Sequence, residues 1–318
     1  MKEPLVSIII PVYNGSNYMR EAIDSALAQT YRNKEIIVVN DGSKDGGATH
    51  EIARSYGDKI RYFSKENGGV SSALNFGIRN MKGEYFSWLS HDDVYTPDKL
   101  EKQIAAINQK QLDSSTLVYC TFINIDANSN ILSSQKNSSG FVSNKLYQSE
   151  EVLAELLQNC TFNGCGLLIP VKALTDSGLF DERLRFCQDA FMWYKIFMQD
   201  YSLFCIDDTL VKNRIHSGQL TQRGQQLFRK ECEEISHSLV NDFSEISSPQ
   251  MNFLEMYLLS DARYFDFGRV KSIIKTGKKK KLISNKAAIK AYFVCMYGHI
   301  RPIIRRVYYF VFKGIKTT

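Results

Sequence analysis

The sequence predicts an α/β fold: a mainly parallel, Rossmann-like sheet with helices on both faces, followed by a helical C-terminal extension. Three observations carry this prediction. Short β-branched runs alternate with amphipathic helical patterns through residue 110, which is the signature of βαβ units. Each run ends in a turn of Gly, Asn, Asp or Pro. Beyond about residue 220 the pattern is helical only.

The elements follow in order. "LVSIIIPVYN" reads as a buried strand stopped by Pro11, and "SNYMREAIDSALAQ" as a helix with Ser16 as candidate N-cap. "KEIIVVNDGS" is a second buried strand, "ATHEIARSYG" a short helix, and "IRYFSKENGG" a third strand and turn. "VSSALNFGIRNMKG" is a helix, "EYFSWLSHDD" a fourth strand, and "TPDKLEKQIAAINQ" a helix with Thr96 at the cap and Pro97 at its first position. Further on, "STLVYCTFINI" and "GCGLLIP" read as strands, and "PVKALTDSG" and "DAFMWYKIFMQDY" as helices. A polar stretch over residues 126–148 reads as a long surface excursion. The expected division is 1–218 for the α/β domain, with a first half at 1–95 and a second half at 96–218. Residues 219–318 form a helical, basic region.

The chain has 318 residues and 44% apolar content, which describes a folded protein with a sizeable core. Its seven cysteines form no CxxC pair. That argues for a reducing compartment and against a disulfide framework or zinc site. No secretory leader is expected, and no run of apolar residues is long enough to span a membrane. The expected location is the cytoplasm, with peripheral attachment to the inner face of the cell membrane. Net charge is +6, unevenly spread: residues 267–318 hold 14 Lys and Arg and no acid. The first 266 residues carry 26 basic against 34 acidic side chains.

In open α/β sheets, ligands gather beyond the carboxyl ends of the strands. Four turns occupy that edge here: "PVYNGS", "VNDGSKDGG", "SKENGG" and "LSHDDVYTP". In the last, Asp92 and Asp93 are adjacent carboxylates that repel each other unless a cation sits beside them. One or two carboxylates sharing an ion with phosphate oxygens is the usual arrangement for Mg²⁺ or Mn²⁺. The competing reading is an Asx turn or helix cap, for which Thr96 already serves. Asp41 is either an Asp-Gly turn residue or an acceptor for a base N–H. Asp189 heads an apolar helix, where it serves as an N-cap, as a general base, or as both.

These segments, together with "NGGVSSALNFGI" and "NGCGLLIPVKALTDSGLFDERLRFCQDAFMWYKI", resemble family 2 glycosyltransferases, enzymes of the GT-A fold. The resemblance covers about two-thirds of the chain, ending near "RIHSGQLT". It implies that Pro11, Val12, Tyr13 and Asn14 line a uridine pocket, that Asp41 bonds the uracil, and that Asn67 lies beside the nucleotide. It implies that Asp92 reaches the ribose or pyrophosphate, that Asp93 holds Mn²⁺ or Mg²⁺, and that Asp189 is the catalytic base. His216 matches a histidine near the diphosphate or metal, and is otherwise a solvated loop residue. The implied activity is inverting sugar transfer from a nucleotide-sugar donor, a UDP-sugar, to a glycan, glycolipid or glycoprotein acceptor. Three positions depart from the pattern: His91 stands for an Asp, Gln188 for a Glu, and Leu74 for an Arg. The last leaves the donor sugar open.

The basic region mixes cations with aliphatic and aromatic residues. Over residues 269–316 this fits contact with an anionic membrane surface, or packing of C-terminal helices into a homo-oligomer. No nucleic-acid-binding module is present, and the acidic body argues against that partner. Two rivals to a transferase remain: a catalytically inactive nucleotide- or glycan-binding subunit, and a sugar-nucleotide pyrophosphorylase. The second would need a Gly-rich, Arg-containing loop after the first strand, which "PVYNGSN" lacks.

Overall fold

A computed structural model describes residues 3–132, 140–159 and 163–219, then 230–231, 234–235, 258, 267–279, 283–293 and 295–296. The chain forms two compact units, Met1–Phe228 and Arg229–Thr318.

The first unit is built on a nine-stranded sheet. β1 (Val6–Val12) is buried along its whole length because parallel strands flank it on both sides. β2 (Lys34–Asp41) and β3 (Arg61–Lys65) lie to one side and β4 (Tyr85–Trp88) to the other, giving the order β3-β2-β1-β4. Both faces of β1 are covered, as a parallel sheet requires. Ile8 and Ile10 share a core cluster with Met19, Ala22, Ile23 and Ala26 of α1 (Met19–Leu27). On the opposite face Ile9 meets α3 (Val70–Asn80), where a Cβ on Gly77 would lie 2.6 Å from Ile9 Cγ2. α2 (Ala48–Arg54) completes this half.

The second half of the sheet is mixed. β8 (Leu167–Pro170) runs antiparallel to both β4 and β6 (Thr116–Ile125), and β6 pairs in parallel with the long β9 (Ser202–Arg214). Two short strands lie along β9: β5 (Val94–Tyr95) and β7 (Lys145–Tyr147). Helices α4 (Lys99–Lys110), α5 (Ser149–Asn159), α6 (Val171–Asp176) and α7 (Gln188–Phe197) complete the unit.

Several local expectations change. Ser16 does not cap α1, whose cap position is held by Tyr18 with no side-chain cap bond. Pro11 lies within β1, paired with Val39, and does not stop it. Thr96 does not cap α4: Asp98 holds the cap position, and Thr96 Oγ1 instead donates to Asp98 Oδ1 at 2.7 Å. The cause is β5, whose ladder to β9 keeps the chain extended through Tyr95 and delays the helix. The polar stretch at 126–148 is not one excursion either. It contains β7 and a turn at Asp126, whose Oδ1 accepts from Asn128 N and Asn130 N, while residues 133–139 lie outside the described residues.

The second unit contains α8 (Phe267–Lys279) and a further helical stretch over 285–293. Among the described residues no helix is long and apolar enough to cross a membrane. Residues 297–318, part of the expected membrane or subunit contact, lie outside the described residues.

Candidate active site

Because β1 to β4 are parallel, their carboxyl ends share one edge, and the four predicted turns meet there. The first two turns are stitched together. Asn14, held at φ 51°, accepts from Lys44 N at 2.7 Å and donates its own N–H to Ser43 Oγ. Gly15 N donates to Thr49 Oγ1. Pro11 and Val12 are buried at the end of β1, whereas Tyr13 is exposed at the rim.

Asp41 ends β2 and is almost wholly buried. Its Oδ1 accepts from Lys65 Nζ (2.8 Å) and Gly68 N (2.9 Å). Its Oδ2 accepts from Asn67 Nδ2 (3.1 Å) and Gly69 N (2.7 Å). A carboxylate offers about four acceptor positions, and here all four are taken. Asp41 therefore organises the Asn67–Gly69 turn. A nucleobase N–H reaching this carboxylate would share it with these donors.

The β4 exit separates the two adjacent carboxylates. Asp93 turns inward: Oδ1 accepts from Arg214 N at 2.9 Å and Oδ2 from Cys165 Sγ at 3.2 Å. Burial, then the neighbouring Asp92 charge, pushes its pKa up to about 7, against the pull of those two donors. Asp92 turns the other way, its Oδ2 lying 3.0 Å from His216 Nε2. Asp93, the expected ion ligand, thus has both oxygens engaged, whereas Asp92 pairs with His216. Both residues lie in the turn between β4 and β5, whose path aims the two carboxylates at different partners. His91 packs on Gly15, where a Cβ would lie 2.7 Å from its Cδ2. Burial lowers the His91 pKa, with Asp92 opposing and His216 adding to that shift.

One residue holds this constellation and was not foreseen. Arg214, the last residue of β9, is fully buried. Its Nε donates to Asp92 O at 2.7 Å, its Nη1 to Asp126 O, Ala127 O and Ser129 Oγ, and its Nη2 to Glu21 Oε2 at 2.5 Å. Its guanidinium also stacks on Tyr18, 4.6 Å from the ring centroid. The only hint in the sequence is an arginine ending a buried strand, two residues before His216.

Asp189 sits in the first turn of α7, but Cys187 holds the cap position with no side-chain cap bond. Asp189 Oδ1 accepts from Ala190 N at 2.7 Å, and burial pushes its pKa up to about 6. The N-cap alternative is therefore not what the helix uses. Near it in sequence, Gln188 Oε1 and Trp193 Nε1 are buried without hydrogen-bond partners, as is Trp88 Nε1 at the end of β4. Both indoles crowd Gly164, where a Cβ would lie 2.7 Å from Trp88 Cε3 and 3.3 Å from Trp193 Cζ2.

A second residue missed from sequence is Arg185. A Cβ on Gly69, at φ 89°, would lie 1.8 Å from Arg185 Nη1, so the guanidinium rests directly over this glycine. Leu74, standing where an Arg was expected, is fully buried on the inner face of α3. The cation at this turn comes from a different element.

The model of the family described as "Glycosyl transferase family 2" matches residues 7–181, more than half of the chain. The chain belongs to glycosyl transferase family 2. An uncharacterized glycosyltransferase from Rickettsia felis is 43% identical over 307 residues, covering 96% of this chain and 48% of the relative. The chain spans 34% to 66% of the length of the first curated relatives it matches. Among solved structures, S. aureus TarS 1-349 in complex with UDP-GlcNAc aligns with TM-score 0.66 at 15% identity, over 94% of this chain and 91% of that one. The mannosyltransferase PcManGT from Pyrobaculum calidifontis, in complex with GDP-Man and Mn2+, aligns with TM-score 0.55 at 17% identity, over 96% and 83%. These likenesses show the fold, the GT-A arrangement of family 2.

For a family 2 site the question is whether its residues suit an ion. Among the described residues no group of three or more His, Cys, Asp or Glu converges. Asp92 with His216 is a two-side-chain set. A small divalent ion commonly takes one or two carboxylates and completes its shell with phosphate oxygens and water. The pair fits an ion shared with a diphosphate, not one held by protein alone.

Proposed function

We propose that this family 2 chain is a metal-dependent, inverting glycosyltransferase that moves a sugar from a nucleotide-sugar, a UDP-sugar, to a hydroxyl of a glycan, glycolipid or glycoprotein acceptor. The observation that carries this reading is Asp189: a carboxylate in the first turn of α7, not used as a cap, whose pKa of about 6 leaves it ionised yet basic at neutral pH. Such a group takes the proton of an acceptor hydroxyl as its oxygen attacks. Inversion follows from the family resemblance.

Asp92 and His216 would hold Mn²⁺ or Mg²⁺, and Arg214 keeps Asp92 in place through its main-chain carbonyl. When bound, the ion neutralises charge on the departing diphosphate. GT-A enzymes typically use a metal, and the mannosyltransferase neighbour carries Mn2+. The turn organised by Asp41, with Asn67 in it, and the Pro11–Asn14 segment form the nucleotide edge. Lys65 and Arg185 supply positive charge on either side of Gly68–Gly69, where donor phosphates or sugar would lie. The UDP preference is supported by the motif resemblance and by the TarS complex; the neighbour with GDP-Man makes guanosine donors the comparison to run.

The test is donor hydrolysis, which needs no acceptor. UDP-, GDP- and dTDP-sugars are incubated with the protein and Mn²⁺, with and without chelator. Slow, chelator-sensitive release of UDP that Asp189→Asn abolishes is the expected result. Binding of UDP-sugar without turnover under any condition would instead assign an inactive binding subunit. Pyrophosphate-dependent release of nucleoside triphosphate would assign a pyrophosphorylase.

A further inference from the structure

The C-terminal unit carries a face that sugar transfer does not use. Residues 285–293 and 295–296 are helical. On the 3.6-residue period, Ala287, Ala288, Ala291 and Cys295 fall on one side, and all are buried. Ile289, Tyr292, Phe293 and Met296 fall at i, i+3, i+4 and i+7 on the opposite side, and all are exposed, Ile289 by 56% and Phe293 by 61%. The small side chains face in and the large apolar ones face out. An ordinary amphipathic helix has the reverse arrangement, so this outer stripe is built for something beyond its own unit.

The charges around the stripe indicate what that is. Lys286 and Lys290 are exposed along one edge of it. In the same unit α8 exposes Lys271, Lys275 and Lys278 at i, i+4 and i+7, while Val270, Ile273 and Ile274 are buried. Within this unit Gly277 of α8 packs on Ile283: a Cβ there would lie 2.3 Å from Ile283 Cδ1. Residues 267–318 hold 14 cationic side chains and no acidic one. A second copy docking through this stripe would bring Lys286 and Lys290 of both faces together across a two-fold interface. A nucleic acid would match the charge but would leave Ile289 and Met296 without a role. An anionic bilayer matches both features, because acyl chains receive the apolar stripe and headgroups receive the lysines.

We propose that the Ile289–Tyr292–Phe293–Met296 stripe, bordered by Lys286 and Lys290, is a docking face for an anionic lipid bilayer. The helix lies in the plane of the surface without crossing it. This placement is independent of the reading of Asp189 and Asp92: a chain inert toward nucleotide-sugars would still dock.

The test is co-sedimentation of the full chain with vesicles of phosphatidylcholine alone or mixed with phosphatidylglycerol. Binding to the mixed vesicles only, weakening as salt rises, is expected. At about 1 kcal/mol per cation, Lys286→Gln with Lys290→Gln weakens binding roughly 30-fold. Ile289→Ser with Phe293→Ser weakens it at least about tenfold by removing buried apolar area. Both double variants keep the circular dichroism of the parent and any donor hydrolysis it shows. Phe293→Trp provides a reporter that does not rest on folding of the serine variant: its emission moves to the blue, and brominated anionic lipid quenches it. Equal binding to neutral vesicles, no binding at all, or an emission spectrum of the Phe293→Trp variant that vesicles leave unshifted overturns the proposal. A dimer by light scattering that Phe293→Ser dissolves, with vesicles left unbound, overturns it in favour of self-association.

Discussion

Arg214→Lys keeps the positive charge at the β4 exit and removes the planar fork that grips it. The wild-type side chain is fully buried and joins four segments: Asp92 O, the turn acceptors Asp126 O, Ala127 O and Ser129 Oγ, Glu21 on α1, and the ring of Tyr18. A lysine ammonium is a single point with three donors and does not reach Asp92 O and the Asp126 turn while also meeting Glu21. Each buried acceptor stranded without a donor costs about 1–3 kcal/mol. Two or three of them, partly offset by the retained ion pair, put the loss at about 3–5 kcal/mol, the range for breaking a buried charge network. For a domain of this size that corresponds to a Tm lower by roughly 6–20 °C. Freeing the Asp92 main chain also loosens the Asp92–His216 pair, so Mn²⁺-dependent UDP affinity falls by about 10–100-fold, as for other residues that orient a ligand. Thermal unfolding by circular dichroism and calorimetric titration of UDP with and without Mn²⁺ read the two effects. Glu21→Gln is the control: its side chain is 44% exposed, and the loss should stay near 1 kcal/mol or below, of order ~0.2–1. A Tm within about 2 °C of wild type together with unchanged metal-dependent affinity would refute the assignment of Arg214 as the organiser of this site.

The other predictions concern single groups. Asp189→Asn abolishes transfer and leaves UDP binding intact; in the wild type, activity falls as pH drops through about 6, because the base is then protonated, and a flat pH–rate profile there counts against the role. Asp92→Ala and His216→Ala each remove the metal-dependent part of UDP affinity, whereas Asp93→Ala chiefly lowers stability; the opposite pattern in calorimetry would return the ion to Asp93. Gly69→Ala is strained at φ 89° and drives a methyl into Arg185, so donor hydrolysis drops; unchanged kinetics would dissociate Arg185 from the donor. Lys99 is fully buried against Ser87, Gln103 and the Tyr95 ring, and burial lowers its pKa to about 8 from 10.5. The unfolded chain then binds the extra proton between those values, so stability rises with pH across pH 8 to 10.5, by up to about 3 kcal/mol. Urea unfolding of wild type minus Lys99→Met across this window isolates the effect, and parallel curves would reject it.

The first half of the fold was legible because each element carries a local code. β1 is apolar on both faces and the turn after it is marked by Asn14 and Gly15, so a central parallel strand was readable before any contact was known. The carboxylate run at 92–93 and the acid at 189 were likewise visible as residue types in suitable places. β5 and β7 were not readable, since strands of two and three residues have no period of their own and exist only because β9 supplies a ladder. The burial of Lys99 could not be read either: Gln103 and Tyr95 are close in sequence, but Ser87 of β4 reaches it only in the folded chain.

What the sequence determined by itself was the order of strands and helices, the edge at which polar turns collect, and the family to which they correspond, because these depend on neighbours within a few residues. The tertiary structure decided the division of labour among the acids. Asp93 faces Arg214 and Cys165, residues more than 70 positions away, while Asp92 faces His216. Asp41 is saturated by Lys65 at the end of β3 and by the turn after it, 24 to 28 residues later. Which of two adjacent carboxylates meets solvent and which meets the interior depends on the path of distant strands, and only the folded chain brings those strands together.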